Sequence, residues 1–310
     1  MDIGTRLFRT ALLGLAGNRA ARAFSERYGM KLGASRFVAG ETMDDALQQA
    51  KKLNDAGIAV TLDFLGESIS SLDEAKTSEL GYLDLLQAID REAIKGNVSL
   101  KPTQFGLALD PAYCQESIRS VVREASRLGI FVRLDMEDSP WTDATIRMVR
   151  TLHQEGLTNV GTVIQAYLYR SGQDVKELTR EKMNLRLVKG AYKEPASIAF
   201  PSKKEVDNNM RRLIRARLDS KVYTAIATHD ESMIRWVKSY TKSHRIPRSA
   251  FEFQMLYGIR TPLQESLARE GYTVRSYVPF GQSWYPYFVR RLAERPANVG
   301  FIAKSLFKRG

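Results

Sequence analysis

The sequence predicts an α/β fold of the (β/α)8 barrel class. Short apolar segments that end in polar residues alternate along the chain with amphipathic stretches that carry helix start and stop signals. Eight such units recur at intervals of roughly 20–40 residues, as parallel βα repeats do. A doubly wound open sheet is the alternative. The dinucleotide fingerprint G-x-G-x-x-G, which would favour it, follows none of the segments.

Each predicted strand is a short apolar run. In chain order the eight runs are Ala59–Phe64, Val98–Pro102, Phe131–Asp135, Thr162–Tyr167, Leu185–Lys189, Val222–Thr228, Phe251–Leu256 and Val274–Val278.

Capping residues place the helices between these runs. Thr42 and Asp45 have the spacing of a capping box. Asp110-Pro111 combines an N-cap with proline at the first helical position, and Gly129 follows the end of that helix. Two further helices open at Ser139-Pro140 and Thr261-Pro262.

The chain divides into an N-terminal helical segment, residues 1–40, and a barrel, residues 41–310, with no Ser/Gly-rich linker between them. Thr5–Arg19 has basic flanks and a short apolar centre. A signal peptide is the alternative reading, but Arg9 interrupts the approach to the apolar run, which favours a small helix. No apolar run approaches the roughly 20 residues that span a membrane.

Composition narrows the chemistry. Cys114 is the one cysteine, so an internal disulfide and a cysteine-based metal site are excluded, and a reducing cytoplasm fits. Of three histidines only His229 ends a predicted strand, so we expect no metal. The net charge of +12 suits nucleic acid, an anionic membrane surface or small anions. The basic residues are scattered without interleaved aromatics, which disfavours nucleic acid.

Polar or aromatic residues end every predicted strand. In a barrel the carboxyl ends of the strands form one rim, where functional residues lie. Polar residues also mark where any strand leaves the core, so a single case carries little weight. Eight coincident cases favour a site, because Lys101, Asp135, Arg186 and His229 are costly to bury unless they are paired or hold a ligand.

A second cationic feature lies near the C-terminus, in Tyr287-Phe-Val-Arg290-Arg291-Leu-Ala-Glu294. A helix there places the tyrosine, both arginines and the glutamate on one face. Two neighbouring guanidiniums suit a carboxylate or phosphate, which each can bind through two hydrogen bonds. We therefore predict a small-anion site on this face.

The rim offers cations, aromatics and amides but no evident nucleophile apart from Lys189. This favours a bound cofactor that does the chemistry. A cofactor-free aldolase with Lys189 as Schiff-base amine is an alternative, although strand alternation puts Lys189 and Leu187 opposite Arg186 and Val188. A non-enzymatic anion-binding barrel is a third.

Several motifs resemble those of the proline dehydrogenase family. They are Asp63-x-Leu-Gly-Glu67, Gln165-Ala-Tyr167, Arg186-Leu-Val-Lys-Gly-Ala-Tyr192, Ala227-Thr-His229, Phe251-Glu-Phe-Gln-Met-Leu-Tyr-Gly258 and Tyr287-x-x-Arg-Arg-x-x-Glu294. They occur in order across residues 58–303. The length is similar to that of monofunctional bacterial members.

This resemblance implies a distorted (β/α)8 barrel with non-covalent FAD at the carboxyl-end rim. L-proline would be oxidised to Δ1-pyrroline-5-carboxylate by hydride transfer to FAD N5, and the electrons would pass to a membrane quinone. We accordingly expect a cytoplasmic enzyme in peripheral contact with the inner face of the cell membrane, and no nucleic-acid partner.

The resemblance also assigns residues. Arg290, Arg291 and Lys101 would bind the proline carboxylate, and Tyr277, Tyr287 and Leu187 would wall its ring. Asp135 and Arg186 would be catalytic, and Glu67 would pair with Arg290 as a lid. The residues implied in FAD binding are Met136, Gln165, Arg186, Val188, Lys189, Gly190, Ala191, Thr228, His229 and one of Lys203 and Lys204.

Overall fold

The computed structural model describes residues 33–66 and 69–294. Eight parallel strands pair in chain order, and β8 pairs with β1, so the sheet closes into the predicted barrel. The strands are β1 Ala59–Phe64, β2 Gly96–Leu100, β3 Val132–Leu134, β4 Val160–Gln165, β5 Leu185–Val188, β6 Thr224–Ala227, β7 Phe251–Leu256 and β8 Val274–Phe280.

Helices follow the strands around the barrel. Within the described residues they are α1 Met43–Asp55, α2 Leu72–Arg91, α3 Pro111–Arg127, α4 Thr142–Gln154, α5 Ser171–Arg180, α6 Lys203–Asp219, α7 Glu231–Ser243, α8 Thr261–Arg269 and α9 Tyr285–Glu294. None of these is long and apolar enough to cross a bilayer. The predicted helix in Thr5–Arg19 lies outside the described residues, and the domain boundary at residue 40 stays a prediction.

All eight predicted strands are confirmed, and β1 and β7 have the predicted bounds. Strands β2 and β4 each begin and end two residues before their predicted bounds, and β8 runs through Pro279 to Phe280 instead of stopping at Val278. Proline interrupts a ladder when its missing N–H faces a partner strand. Here β7 has already ended on that side, and the Pro279 carbonyl accepts a hydrogen bond from Ala39 N at 2.8 Å.

The predicted caps at Thr42, Asp110 and Gly129 are confirmed. Ser139-Pro140 opens a 3-10 turn, Ser139–Trp141, that leads into α4, and α8 opens at Thr261-Pro262, but neither start has a side-chain cap among the described residues. Thr42 and Asp45 form a reciprocal capping box at the start of α1. The Asp110 carboxylate accepts from the backbone N–H groups of Ala112 and Tyr113 at 2.9 and 3.0 Å. Gly129 has a φ of 68°, in the left-handed region that ends helices.

The outer face of the barrel wall carries the main hydrophobic core. On β1, Val60 and Leu62 are fully buried beneath the surrounding helices, and on β2 Val98 and Leu100 are too. The alternating residues on the same strands point into the lumen. The hydrophobic core of this protein therefore lies between the sheet and the helices, whereas the lumen contains mainly polar and charged side chains.

Two helices flank the closure of β8 on β1. Helix α1, which precedes the first strand, contacts the outside of both β1 and β8. Helix α9, which follows the last strand, packs its aromatic face against Leu65 just beyond β1 and Ile259 just beyond β7. This arrangement places α9 at the carboxyl-end rim.

Candidate active site

Charged and polar side chains fill the lumen of the barrel, where many α/β barrels have branched apolar residues. They alternate along the strands with the apolar residues of the outer face. The inward set is Thr61, Asp63, Asn97, Ser99, Lys101, Arg133, Asp135, Gln165, Arg186, Glu252, Gln254, Arg275 and Tyr277.

Asp135 is the centre of the upper part of this network. Its Oδ1 accepts hydrogen bonds from Ser99 Oγ at 2.5 Å and from Arg186 Nη1 at 2.7 Å. Its Oδ2 accepts from Tyr277 Oη at 2.7 Å. Burial opposes ionisation, but Arg186 and Lys101 outweigh it and hold the pKa of Asp135 below its usual range. Asp135 is thus an anion with both oxygens occupied.

Lys101 lies on the other side of this carboxylate. Its Nζ is 3.0 Å from both Asp63 oxygens, 3.6 Å from Asp135 Oδ2 and 3.3 Å from Tyr277 Oη. Burial, and next the Asp135 charge, raise the pKa of Tyr277 well above its usual value, so its hydroxyl stays protonated. The Lys101 charge is largely balanced by Asp63.

Arg186 is held along two of its edges. Nε donates to Gln254 Oε1 at 2.5 Å and Nη1 donates to Asp135, while the guanidinium carbon lies 5.3 Å from the centre of the Tyr277 ring. The third nitrogen, Nη2, is buried and has no hydrogen-bond partner among the residues that the structure describes. A buried donor without a partner is costly, so the site fits a ligand that brings an acceptor to Nη2.

The predicted anion face lies on α9, at the same end of the barrel. Tyr287 is 5% exposed, and Arg290 and Arg291 are partly exposed. The Arg291 guanidinium carbon lies 5.0 Å from the centre of the Tyr287 ring, in cation–π range. The side chain of Glu294 and the whole of Glu67, the predicted lid residue, lie outside what the structure describes.

A second charged cluster forms the rim beyond β5. Lys189 Nζ lies 2.8 Å from Asp230 Oδ2 and 2.5 Å from Asp207 Oδ1. Lys203 pairs with Asp207 and lies 3.7 Å from Asp230. Lys203 therefore belongs to the same cluster as Lys189, which distinguishes it from Lys204 as the candidate for a phosphate contact.

The backbone around this cluster is shaped by a glycine. Gly190 has a φ of 111°, and a Cβ there would lie 2.3 Å from the Tyr167 ring. A side chain would have to displace the ring from its place beside β5. Ala191, which follows, is exposed, so this stretch leaves room for a ligand to approach the backbone.

The other predicted cofactor residues occupy neighbouring strand ends. His229 Nε2 accepts from Leu256 N at 2.9 Å, which assigns its proton to Nδ1. Thr228 Oγ1 accepts from Asp230 N at 3.1 Å. Gln165 Nε2 donates to the Glu137 carbonyl at 2.9 Å. Met136, which precedes Glu137 in the chain, is buried.

Strand alternation separates two residues of β5 that the resemblance brings to one site, Leu187 at the proline ring and Val188 at FAD. Val188 shares the lumen side with Arg186 and is partly exposed at the strand end. Leu187 is fully buried in the core between sheet and helices. This placement disfavours Leu187 as a wall of a pocket in the lumen.

Ser99, Glu252, Gln254 and Arg275 are among the residues of the network that have no role in the sequence-based assignment. Ser99 and Gln254 hold Asp135 and Arg186 in place, and Glu252 and Arg275 lie beneath them. The sequence does indicate them, because each is a polar residue that lies two positions from another polar residue in an otherwise apolar strand.

The arrangement can bind and orient a small anion and keep it away from bulk water. Buried, pre-oriented charges also stabilise charge that develops in a reaction. Lys189, the one candidate nucleophile, lies outside the lumen and contacts two carboxylates, which gives the aldolase alternative no support.

Comparison with known proteins agrees with this geometry. The family model described as proline dehydrogenase matches residues 46–304. "Proline dehydrogenase 1" of Bacillus subtilis subsp. natto is 44% identical over 303 residues, covering 98% of this chain and 100% of the relative. "Proline dehydrogenase" of Deinococcus radiodurans is 43% identical over 309 residues, covering 98% and 99%.

A solved structure shares the fold. Proline utilization A from Bdellovibrio bacteriovorus, inactivated by N-propargylglycine, superposes with a TM-score of 0.80 at 28% identity. The match covers 93% of this chain and 36% of that longer protein. With a family match over most of the chain and full-length relatives above 40% identity, this chain belongs to the proline dehydrogenase family.

Proposed function

We propose that the chain oxidises L-proline to Δ1-pyrroline-5-carboxylate with FAD as the hydride acceptor and a membrane quinone as the final electron acceptor. The observation that carries the proposal is the buried network of Asp135, Arg186, Lys101 and Tyr277 in a barrel whose carboxyl-end rim bears a helix with two adjacent arginines.

The substrate side rests on α9 and β8. Arg290 and Arg291 bind the carboxylate of proline, supported by Lys101, and Tyr277 and Tyr287 contact its ring. A carboxylate held at two points sets the position of the ring carbon that loses hydride. The buried surroundings favour the neutral form of the ring nitrogen, from which a proton also leaves in the overall reaction.

The cofactor side rests on β5 and its neighbours. Bound FAD supplies the acceptor for the hydride that leaves proline. Arg186 fits such a group, because its Nη2 is a buried donor without a partner in the described part of the chain and its charge stabilises negative charge nearby. Met136, Gln165, Val188, Thr228 and His229 line the strand ends around it, and Lys189 and Lys203 would bind the phosphates in exchange for their contacts with Asp207 and Asp230.

Electron transfer to a quinone requires contact with a membrane. The net charge of +12 favours approach to the anionic inner leaflet. This charge is spread over the whole chain, so we propose peripheral contact and no particular lipid site.

An absorbance spectrum tests cofactor, substrate and reaction together. We expect the purified protein, loaded with FAD, to show a flavin band that bleaches anaerobically on addition of L-proline and returns with a soluble quinone analogue. Glycine, which has the carboxylate but no ring, is the matched control and should leave the band unchanged. A protein that binds no flavin, or a band that proline does not bleach, would contradict the proposal.

A further inference from the structure

A second carboxylate lies in the lumen below the proposed reaction site. Glu252 on β7 is 2% exposed and points to the same side as Gln254, two residues further along the strand. Arg275 on β8 places its Nε 3.0 and 3.1 Å from the two Glu252 oxygens. The same arginine donates to the Val60 carbonyl at 2.8 Å, so the pair is anchored to the wall of the barrel.

The Gln254 amide connects this pair to the site above. Gln254 is 4% exposed, and its Nε2 donates to Glu252 Oε1 at 2.5 Å. Its Oε1 accepts from Arg186 Nε at 2.5 Å. An amide has a donor end and an acceptor end, so it satisfies both neighbours in one orientation only.

The ionised carboxylate determines which orientation that is. Burial opposes ionisation of Glu252, but the Arg275 charge outweighs it and holds the pKa of Glu252 below its usual range. An ionised carboxylate accepts hydrogen bonds and cannot donate them. The amide nitrogen of Gln254 must therefore face Glu252, and its carbonyl must face Arg186.

This orientation fixes the plane of the Arg186 guanidinium. Gln254 holds the Nε edge and Asp135 holds Nη1 at 2.7 Å, so Nη2 has a single direction. A reversed amide would turn N–H groups toward Arg186 Nε–H, and the guanidinium would have to rotate away.

We propose that Glu252 is a positioning residue for the oxidation, which locks the Gln254 amide so that Arg186 presents Nη2 to the bound cofactor. This inference rests on the proposed function for the role of Arg186. It differs from that proposal in assigning a role to a residue that touches neither substrate nor cofactor.

Glu252→Gln tests the lock with almost no change in shape. A glutamine at 252 can donate as well as accept, so the Gln254 amide is free to reverse. We expect kcat to fall about tenfold, the loss typical of one charge-assisted hydrogen bond, while KM for proline changes less than about twofold, since the carboxylate binders on α9 are untouched. The dissociation constant for FAD, measured by quenching of flavin fluorescence, should rise about threefold or more, because a displaced Arg186 no longer donates its charge-assisted hydrogen bond to the cofactor.

An exchanged pair separates this role from simple structural support. In Glu252→Gln/Gln254→Glu the carboxylate stands next to Arg186 and again presents only acceptors, and residue 252 can donate to it. We expect kcat and FAD affinity to return to within about threefold of the wild type. Glu79→Gln is the matched control, because Glu79 is also a buried carboxylate, 6% exposed, but bonds to Ser117 at 3.0 Å between helices outside the lumen.

Several outcomes would overturn the proposal. One is wild-type kcat and FAD affinity in Glu252→Gln. Another is a loss that the exchanged pair does not recover. If Glu252→Gln fails to fold, Gln254→Met is the second variant, because it removes the acceptor for Arg186 and keeps the Glu252–Arg275 pair. Wild-type kcat and FAD affinity in Gln254→Met would then overturn the proposal. Failure of the proposed function would instead show in the wild type, as the absence of bleaching by proline, and the FAD titration does not depend on proline.

Discussion

The two faces of the barrel wall differ more than any other two regions of the molecule. On β1 the outward residues Val60 and Leu62 are apolar and fully buried under helices, while the inward residue Asp63 is equally buried but charged. Burying apolar surface stabilises a fold directly. A buried ion pair loses much of its attraction to desolvation. The difference indicates that the outer face stabilises the barrel and that the lumen is kept charged for its chemistry.

The largest effect should follow from a change in the lumen. Asp135→Ala removes the carboxylate that holds Arg186, Ser99 and Tyr277, and we expect kcat with proline to fall about 10²–10³-fold. The unpaired Arg186 should also lower the free energy of unfolding by about 3–5 kcal/mol. Steady-state kinetics and urea unfolding measure the two effects. Turnover within threefold of the wild type would show that Asp135 does not organise the site.

The matching change on the outer face should separate stability from activity. Leu85 on α2 is fully buried in the main core, and Leu85→Ala should cost about 2–5 kcal/mol in the free energy of unfolding. Because no lumen contact changes, kcat and KM of the folded fraction should stay within about twofold. A tenfold change in KM for proline would show that the two faces are coupled.

Helix α9 provides the third comparison. Arg291→Ala should raise KM for proline about 10–100-fold through loss of a charge-assisted contact with the carboxylate, while FAD stays bound. Arg269→Ala on α8 is the control, since Arg269 has a 71% exposed side chain and a 3.7 Å contact with Glu265. Unchanged proline kinetics in Arg291→Ala would remove that residue from the carboxylate site.

Acid should act mainly through the lumen. Burial opposes ionisation of Asp135 and Glu252, but Arg186 and Arg275 outweigh it, so the pKa values of both carboxyls are lowered in the folded protein. A group with a lowered folded pKa stabilises the fold above its unfolded pKa of about 4, and this stability is lost as the pH falls further. The free energy of unfolding should then decrease by about 1.4 kcal/mol per pH unit for each group. Glu252→Gln should flatten the curve, and a wild-type curve that is flat below pH 4 would contradict the assignment.

The smallest effect concerns the single cysteine, Cys114, which lies on α3 in the core between sheet and helices. Burial, with Glu137 second, raises the pKa of the Cys114 thiol to about 12, and the group is fully buried. Its contribution to stability is complete below the unfolded pKa of about 8.5 and is lost as the pH rises toward 12. Native protein at pH 8 should therefore resist a thiol-alkylating reagent that labels it fully in denaturant. Rapid native labelling would show that the core around α3 opens.

Much of the fold could be predicted because its signals are local. The capping box at Thr42 and Asp45 and the N-cap at Asp110 each depend on residues a few positions apart, and both are confirmed. The end of β8 was harder, since Pro279 is tolerated only because the neighbouring strand β7 has already stopped. That fact belongs to the pairing of two strands and has no signature around the proline itself.

Parts of the candidate site could also be predicted from the sequence, and other parts could not. Asp135 and Arg186 stand out in the sequence as charges in apolar strands, and the structure joins them at 2.7 Å. The neutralisation of Lys101 by Asp63 was not predicted, because these residues lie on different strands and pair only when β1 and β2 align in register. Leu187 shows the converse: alternation along β5 separates it from Arg186, and the structure places it in the outer core.

By itself the sequence determined the order of strands and helices, the caps, and the alternation of charged and apolar residues along each strand. These follow from hydrogen bonds and side-chain directions within a few residues of one another. Only the tertiary structure decided that the charged side faces the lumen, that Glu252 reaches Arg186 through Gln254, and that α9 lies at the rim. Those outcomes depend on the pairing of β8 with β1, which brings together residues from distant parts of the chain. Burial and neighbouring charges then shift the pKa values of these residues.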